Sequence, residues 1–130
     1  MARSLLSVSD LNIKELEKIF KKINRFKKHR PKKKYQEMSV GLLFEKHSTR
    51  TRLSFEAGMH QMGGASIYLN TRDSQLGRGE PVEDAAQVIS RMCDAVVIRT
   101  FEQDIINRFA KNSRVPVIIG ITNDYHPCQI

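Results

Sequence analysis

Hydroxyl and arginine side chains follow the first apolar segment of this 130-residue chain at a spacing that suits an anion. Ser48, Thr49, Arg50 and Thr51 come after the apolar run 39–44 and begin a segment with helical character. N–H groups at a helix N-terminus point outward, and the helix dipole favours negative charge there. Hydroxyls and a guanidinium add further donors. The pattern predicts a phosphate-binding turn, although a helix cap followed by exposed arginines explains the spacing equally well.

Further polar side chains follow the later apolar segments. Arg99 and Thr100 come directly after the third, and His126 and Gln129 lie in the polar stretch after the fourth. Ligands of open parallel sheets bind outside the carboxyl ends of the strands, so these side chains and the hydroxyl-rich turn are expected at one edge. His126 taken alone is typical of an ordinary loop histidine. Because no carboxylate or cysteine cluster accompanies it, the sequence predicts no metal site.

An α/β scaffold is needed to bring these side chains together. The apolar segments predict strands, and the segments between them have helical periodicity or helix-start signals. The predicted strands are 39–44, 65–69, 95–98 and 115–121, and the predicted helices begin at Asn12, Thr49, Pro81 (as the first helical residue) and Glu102. Apolar strands that alternate with helices form parallel sheets covered on both faces. We therefore predict a four-stranded parallel sheet with helices on both faces.

The first helix has two recognisable signals. Asn12 and Glu15 have the spacing of a capping box, and the apolar residues that follow recur at helical spacing. The pattern predicts one buried apolar stripe, formed by Ile13, Leu16, Ile19, Phe20 and Ile23.

The net charge of +8 is concentrated around this helix. Between Lys14 and Lys34 there are eleven lysines and arginines against two glutamates, and the rest of the chain is nearly neutral. Such a run can contact phosphates without reading sequence, but it more often forms a solvated face. Because no RNA- or DNA-binding motif accompanies it, we do not expect a nucleic-acid partner. A non-catalytic anion-binding module stays open as a function of a different class.

The composition also restricts compartment and partners. No apolar run approaches the roughly 20 residues that a membrane span needs, and the N-terminus lacks the features of a secretory signal. Two cysteines, Cys93 and Cys128, are too few for a disulfide framework or a cysteine zinc site. We therefore expect a cytoplasmic protein that does not bind a membrane.

Four segments resemble a known family. FEKHSTRTRLSFE at 44–56, QLGRGE at 75–80, IRT at 98–100 and HPCQ at 126–129 are similar to the motifs of the aspartate/ornithine carbamoyltransferases, in that family's order and spacing. The last segment resembles the ornithine members, because the aspartate members typically have threonine in place of Cys128. The resemblance spans essentially the whole chain.

The resemblance implies carbamoyl phosphate as the ligand. Its phosphate would be bound by the hydroxyl-rich turn, and its carbonyl oxygen and amide by side chains from the later strands. By position, Ser48, Thr49, Arg50 and Thr51 would bind the phosphate, Arg99 the phosphate and the carbonyl oxygen, Thr51 and His126 the carbonyl oxygen, Gln129 the amide, and Gln75 carbamoyl phosphate in a neighbouring subunit. Arg50, Arg99 and His126 would be the catalytic residues.

The resemblance further implies that residues 1–130 are the N-terminal carbamoyl-phosphate-binding domain of a two-domain enzyme. That enzyme would transfer the carbamoyl group to L-ornithine in arginine metabolism, without a cofactor, as a homotrimer or a multiple of trimers. The polar segment after the last strand suggests a fragment, which we expect to be inactive alone because the ornithine domain has no counterpart here. A sister transcarbamylase acting on putrescine, N-acetylornithine or aspartate stays open as the alternative enzyme.

Two residues depart from the family pattern. His47 stands where members often have proline, aspartate or alanine, immediately before the phosphate residues, where we expect little effect. Ile119 stands where many members have asparagine, which predicts a change in how the loop that carries His126 is anchored.

Overall fold

The computed structural model describes residues 3–72, 78–100 and 102–121. Within these ranges helices and strands alternate after a 3-10 turn at Val8–Asp10. In chain order the elements are α1 (Ile13–Lys28), β1 (Ser39–Phe44), α2 (Thr49–Gln61), β2 (Ala65–Asn70), α3 (Val82–Met92), β3 (Ala95–Arg99), α4 (Gln103–Asn112) and β4 (Val117–Ile121). In these residues no helix is both long and apolar enough to cross a membrane.

The four strands form one parallel sheet in the order β2-β1-β3-β4. β1 lies inside the sheet, where Phe44 is in register with Asn70 of β2 and with Arg99 of β3. The carboxyl ends of these strands therefore meet at one edge, which we call the carboxyl edge. The prediction of a four-stranded parallel sheet is confirmed.

Helices cover both faces of the sheet, as predicted. Alternate residues of a strand point to opposite faces, and two separate hydrophobic clusters result. On one face Leu43, Val96, Ile98, Val117 and Ile119 pack with Ala86 of α3 and Ile106 and Phe109 of α4. On the other face Val40, Leu42, Phe44 and Val97 pack against Phe55 and Met59 of α2.

The free edge of β4 is paired with the N-terminal segment. The N–H of Leu5 donates to the carbonyl of Val117 at 2.8 Å, and the N–H of Ile119 donates to the carbonyl of Leu5 at 2.8 Å. Ser4 Oγ accepts from the N–H of Val117 at 2.9 Å. An unpaired strand edge is a site for unwanted pairing, and this segment, which the sequence did not predict, satisfies it.

The predicted start of α1 is confirmed, but its predicted buried stripe is wrong. Asn12 Oδ1 accepts from the N–H of Glu15, and the Glu15 carboxylate accepts from the N–H of Asn12, both at 2.9 Å. No residue of α1 is buried, and Ile13, Phe20 and Ile23 are exposed. The two faces of the sheet are taken by α2 and by α3 with α4, so the stripe meets no sheet surface in the described residues.

Several predicted boundaries need correction. α4 begins at Gln103, with Glu102 as its N-cap, and β2 extends one residue further, to Asn70. The fourth strand begins at Val117 rather than Val115, because the N–H of Val115 is taken by Ser113 Oγ and proline has no N–H. Pro81 caps α3 instead of being its first residue. Arg99 is the last residue of β3 rather than the first residue after it.

Candidate anion-binding site

The N-terminus of α2 lies at the carboxyl edge because β1 leads directly into it. Ser48 has extended backbone dihedrals and caps the helix, with its Oγ accepting from the N–H of Thr51 at 3.2 Å. The first N–H groups of a helix have no intrahelical acceptor, and those of Thr49 and Arg50 stand at this position. Ser48, Thr49 and Thr51 carry hydroxyls and Arg50 a guanidinium, so side-chain and backbone donors are concentrated at one point.

Arg99 reaches this helix start from the neighbouring strand. Its Nη1 donates to Thr51 Oγ1 at 3.1 Å, although the two residues are 48 positions apart in sequence. The structure thus brings together two side chains that the sequence assigned to the same ligand.

The Arg99 guanidinium is only partly satisfied within the protein. Its Nε is buried and has no hydrogen-bond partner among the described residues. Burial lowers the pKa of Arg99 below its ordinary value, because a charged group loses solvation there. A buried donor without an acceptor is costly, and an anion at the N-terminus of α2 would offset that cost.

The two arginines near the start of α2 have different surroundings. Arg52 Nε donates to Glu56 Oε1 at 3.0 Å, and its guanidinium lies 3.5 Å from the centre of the Tyr68 ring. Arg50 is exposed and makes no hydrogen bond or ion pair with the described residues. Arg50 therefore has a guanidinium available to an anion, whereas Arg52 is held against β2.

The pairing of β3 with β4 is irregular at Arg99. Ile98 is in register with Ile119, but Arg99 is in register with Ile121, so Gly120 is an extra residue on β4. A Cβ at Gly120 would lie 3.0 Å from the carbonyl oxygen of Ile98 and 3.2 Å from Arg99 Cβ. Bulges of this kind re-aim side chains near functional sites, and glycine allows this close approach without a shift of the neighbouring backbone.

Sequence reasoning expected Thr100 at the carboxyl edge but assigned no contact to it or to Glu45, although both follow strands there. The Thr100 hydroxyl donates to the Glu45 carboxylate, and the N–H of Glu45 donates to the carbonyl of Arg99 at 2.7 Å. Both side chains line a cavity of about 170 Å³ with Leu43, Val82 and Ile98. This contact could be predicted only if β1 and β3 were known to be neighbouring strands, and the sequence does not show which strands are neighbours.

The other predicted residues have mixed outcomes. Gln75, His126 and Gln129 lie outside the described residues, as does Cys128. Ile119 is 2% exposed in the core, so the departure at this position serves packing beneath α3 and α4. In the part of the chain that the structure describes, no group of His, Cys, Asp and Glu side chains could hold a metal ion.

These features define an α/β domain that offers clustered donors to an anion at the carboxyl edge of a parallel sheet. A relative from Methylobacillus flagellatus, named ornithine carbamoyltransferase, is 63% identical over 132 residues, which cover 98% of this chain and 43% of the relative. The crystal structure of ornithine carbamoyltransferase from Burkholderia thailandensis E264 is 55% identical with a TM-score of 0.85 and covers 98% of this chain and 45% of that one. A structure of acetylornithine transcarbamylase complexed with acetylcitrulline is 28% identical with a TM-score of 0.87, covering 99% and 45%.

The family profile described as aspartate/ornithine carbamoyltransferase, carbamoyl-P binding domain, matches residues 3–130. This chain therefore belongs to the aspartate/ornithine carbamoyltransferase family, and the resemblance noted from its motifs is confirmed. It spans less than half the length of the relatives named above.

Proposed function

We propose that this chain is the carbamoyl-phosphate-binding half of an enzyme that converts carbamoyl phosphate and L-ornithine to citrulline and phosphate. The observation that carries the proposal is the contact between Arg99 and Thr51, which places a partly desolvated guanidinium beside the N-terminus of α2. The family match and the names of the relatives support the choice of ligand.

Each described donor has a place in this reaction. The phosphate accepts hydrogen bonds from the turn at Ser48–Thr51, where the helix N-terminus also favours an anion. The δ-amine of ornithine attacks the carbonyl carbon, a C–N bond forms and the amine releases a proton. The C–O bond to phosphate then breaks. Negative charge develops first on the carbonyl oxygen and then on the leaving phosphate, and Arg99 is placed to stabilise both.

Three further side chains complete the proposed site. In this proposal the role of His126 is to bind the carbonyl oxygen, that of Gln129 to bind the amide, and that of Gln75 to bind carbamoyl phosphate in a neighbouring subunit. This arrangement implies a homotrimer or a multiple of trimers, and L-ornithine binds only with the second domain. The chain alone is inactive, and the whole enzyme needs no cofactor and serves arginine metabolism in the cytoplasm. For the isolated chain, which lacks the contacts of the second domain, we expect a monomer or a weak trimer. Sedimentation measures this, and a tight trimer at low micromolar concentration would contradict it.

Among the alternative acceptors putrescine, N-acetylornithine and aspartate, N-acetylornithine is the one that a similar structure named above supports. The similarity to an acetylornithine transcarbamylase is consistent with a sister enzyme, because the fold of this domain is shared between the two. The acceptor binds in a part of the enzyme beyond this domain, so the described site does not discriminate between the two amines. The relatives with the higher identity named ornithine carbamoyltransferase favour ornithine.

A calorimetric titration of the chain with fresh carbamoyl phosphate, and with inorganic phosphate as the reference ligand, tests the proposal. We expect preferential binding of carbamoyl phosphate. Arg50→Ala should weaken it by about 10- to 100-fold, because a charge-assisted hydrogen bond contributes about 1.5–3 kcal/mol. The fold should be intact because Arg50 is exposed.

Arg52→Ala is the matched control, since it removes the same charge from the same helix. It should lower thermal stability by releasing the contacts with Glu56 and Tyr68 and leave the affinity within about twofold, since an exposed charge contributes little. Equal affinity losses in the two variants would reduce the site to general electrostatic attraction. Steep salt dependence and binding to generic nucleic acid would favour the non-catalytic anion-binding module instead.

A further inference from the structure

Glu45 contacts β3 on both sides of the peptide that follows Arg99. Its N–H donates to the carbonyl of Arg99 at 2.7 Å, and its carboxylate accepts from the hydroxyl of Thr100. Thr100 is 2% exposed, so its hydroxyl has little access to water as an alternative partner. We call these two hydrogen bonds the Glu45 tie.

The tie adjoins Arg99 at the carboxyl edge. Glu45 and Thr100 line a cavity with Leu43 and Ile98, which belong to the cluster beneath α3 and α4, and Arg99 also lines this cavity. The guanidinium of Arg99 contacts Thr51. Arg99 is therefore the link between the Glu45 tie and the start of α2.

β4, on the other side of β3, pairs with β3 less regularly at Arg99 than β1 does. The register between β3 and β4 shifts between Ile98 and Arg99, and Gly120 occupies the bulge. A bulge locally disrupts the ladder of hydrogen bonds. The backbone at Arg99 consequently depends on the β1 side, which ends in the Glu45 tie.

We propose that Glu45 and Thr100 are positioning residues that fix the direction of the Arg99 guanidinium. Because the ligand that Arg99 meets is carbamoyl phosphate, the consequence for binding rests on the proposed function. The effect of Glu45 and Thr100 on the orientation of Arg99 does not rest on the proposed function, because it concerns the chain without ligand.

The free chain gives a direct measurement of that orientation. In a ¹H–¹⁵N spectrum the buried Nε–H of Arg99 should give a slowly exchanging signal, assigned by its loss in Arg99→Lys. Thr100→Val keeps the side-chain shape but removes the donor, and should speed exchange of this Nε–H about tenfold. Thr100→Ser retains the hydroxyl and should restore the rate to within about twofold of the original.

A second variant and a control separate the tie from general stability. Glu45→Ala removes the acceptor of the Thr100 hydroxyl and should reproduce the effect of Thr100→Val. Asp94→Ala removes a comparable carboxylate at the other end of the same strand pair, where Asp94 Oδ2 accepts from the N–H of Ser39 at 2.8 Å. It should lower stability while the Arg99 signal is unchanged.

Titration with carbamoyl phosphate then tests the functional consequence. Thr100→Val should weaken binding at least about fivefold, and it should have no further effect when combined with Arg99→Ala. Such non-additivity is expected only if Thr100 acts through Arg99. Loss of affinity that simply adds to that of Arg99→Ala would overturn the positioning role.

The two possible failures are distinguishable. An Arg99 signal that is unchanged in both Thr100→Val and Glu45→Ala overturns the inference whatever the chain binds. A wild-type chain without preference for carbamoyl phosphate contradicts the proposed function, and the exchange rates of Arg99 still decide whether the tie positions it.

Discussion

At the amino end of the β1–β3 pair, Asp94 and Ser39 satisfy one another. The N–H of Asp94 donates to the carbonyl of Ser39, and the Asp94 carboxylate accepts from the N–H of Ser39, both at 2.8 Å. At the carboxyl end Glu45 makes a similar pair of contacts with Arg99 and Thr100. Yet there the Nε of Arg99 has no partner among the described residues.

The difference separates structural polar groups from functional ones. Buried donors are nearly always hydrogen-bonded in folded proteins. Because the polar groups at the amino end have partners and the Arg99 Nε at the carboxyl end has none among the described residues, the carboxyl end is suited to bind a ligand. In parallel sheets this is also the end where ligands bind. The contacts at the amino end should therefore affect stability alone, and those at the carboxyl end should affect binding as well.

Arg99→Met should produce the largest effect, because it removes the cation but keeps an apolar side chain of similar length. Affinity for carbamoyl phosphate should fall about 10- to 100-fold or more with the loss of charge-assisted hydrogen bonds. The free energy of unfolding should be unchanged or should rise by about 1 kcal/mol, because a desolvated charge is removed. Calorimetry and urea denaturation measure the two quantities.

That opposition between binding and stability is the critical result. A fall in the free energy of unfolding of more than about 2 kcal/mol would mean that Arg99 is satisfied within the fold, and the contrast between the two ends would fail. Asp94→Ala provides the reference from the amino end, where we expect a loss of about 1 kcal/mol in stability and unchanged affinity.

Most of the fold could be predicted from local pattern. Apolar segments such as 95–98 and the Asn12–Glu15 capping box are readable because both depend on residues close in sequence. The pairing of Leu5 with β4 was not predicted, since it joins residues more than 100 positions apart and lacks a local signal. The stripe on α1 was misjudged for a related reason, because periodicity shows which face is apolar but not what covers it.

The candidate site likewise has features that the local sequence predicts and features that depend on strand order. The turn at Ser48–Thr51 was predicted because a helix cap and its donors are adjacent in sequence. Arg99 was predicted as a charge at the end of a strand, but its contact with Thr51 needed the sheet order. The Glu45 tie and the bulge at Gly120 both depend on which strands are neighbours, and strand order is not written in the local sequence.

Gly120→Ala should produce the second largest effect in this series. It tests whether the orientation of Arg99 at the carboxyl edge depends on the backbone of β4 at the bulge. Its Cβ would lie 3.0 Å from the carbonyl oxygen of Ile98, so the backbone of β3 or β4 would have to shift slightly. Strain of this kind costs about 1–3 kcal/mol, and because the displaced atoms adjoin Arg99 we expect weaker binding of carbamoyl phosphate too.

Gly58→Ala is the matched control for that substitution. Nothing lies within 4 Å of a Cβ at Gly58, inside α2. Alanine there should raise the free energy of unfolding by about 0.5–1 kcal/mol through helix propensity and leave binding unchanged. If Gly120→Ala were equally harmless, the bulge would have no role in directing Arg99.

The smallest effect should come from a polar pair that is remote from both ends of the strands. Glu15 receives hydrogen bonds from Arg3 and from the N–H of Asn12, which lower the pKa of its carboxyl from 4.5 to about 2. A carboxyl whose pKa is lower in the folded state stabilises the protein above its unfolded pKa, and that contribution is lost as the pH falls toward the folded value. Between pH 4.5 and 2, Glu15→Gln should therefore show a shallower decline in thermal stability than the unmodified chain.

Glu17→Gln controls for the change in charge, because Glu17 is exposed on the same helix and has no hydrogen bond or ion pair with the described residues. It should leave the decline unaltered, and neither variant should change the affinity for carbamoyl phosphate at neutral pH. An effect of Glu15→Gln on that affinity would show that a satisfied polar pair also governs binding. Whether a polar side chain has its hydrogen bonds within the protein would then no longer distinguish structural groups from groups that bind the ligand.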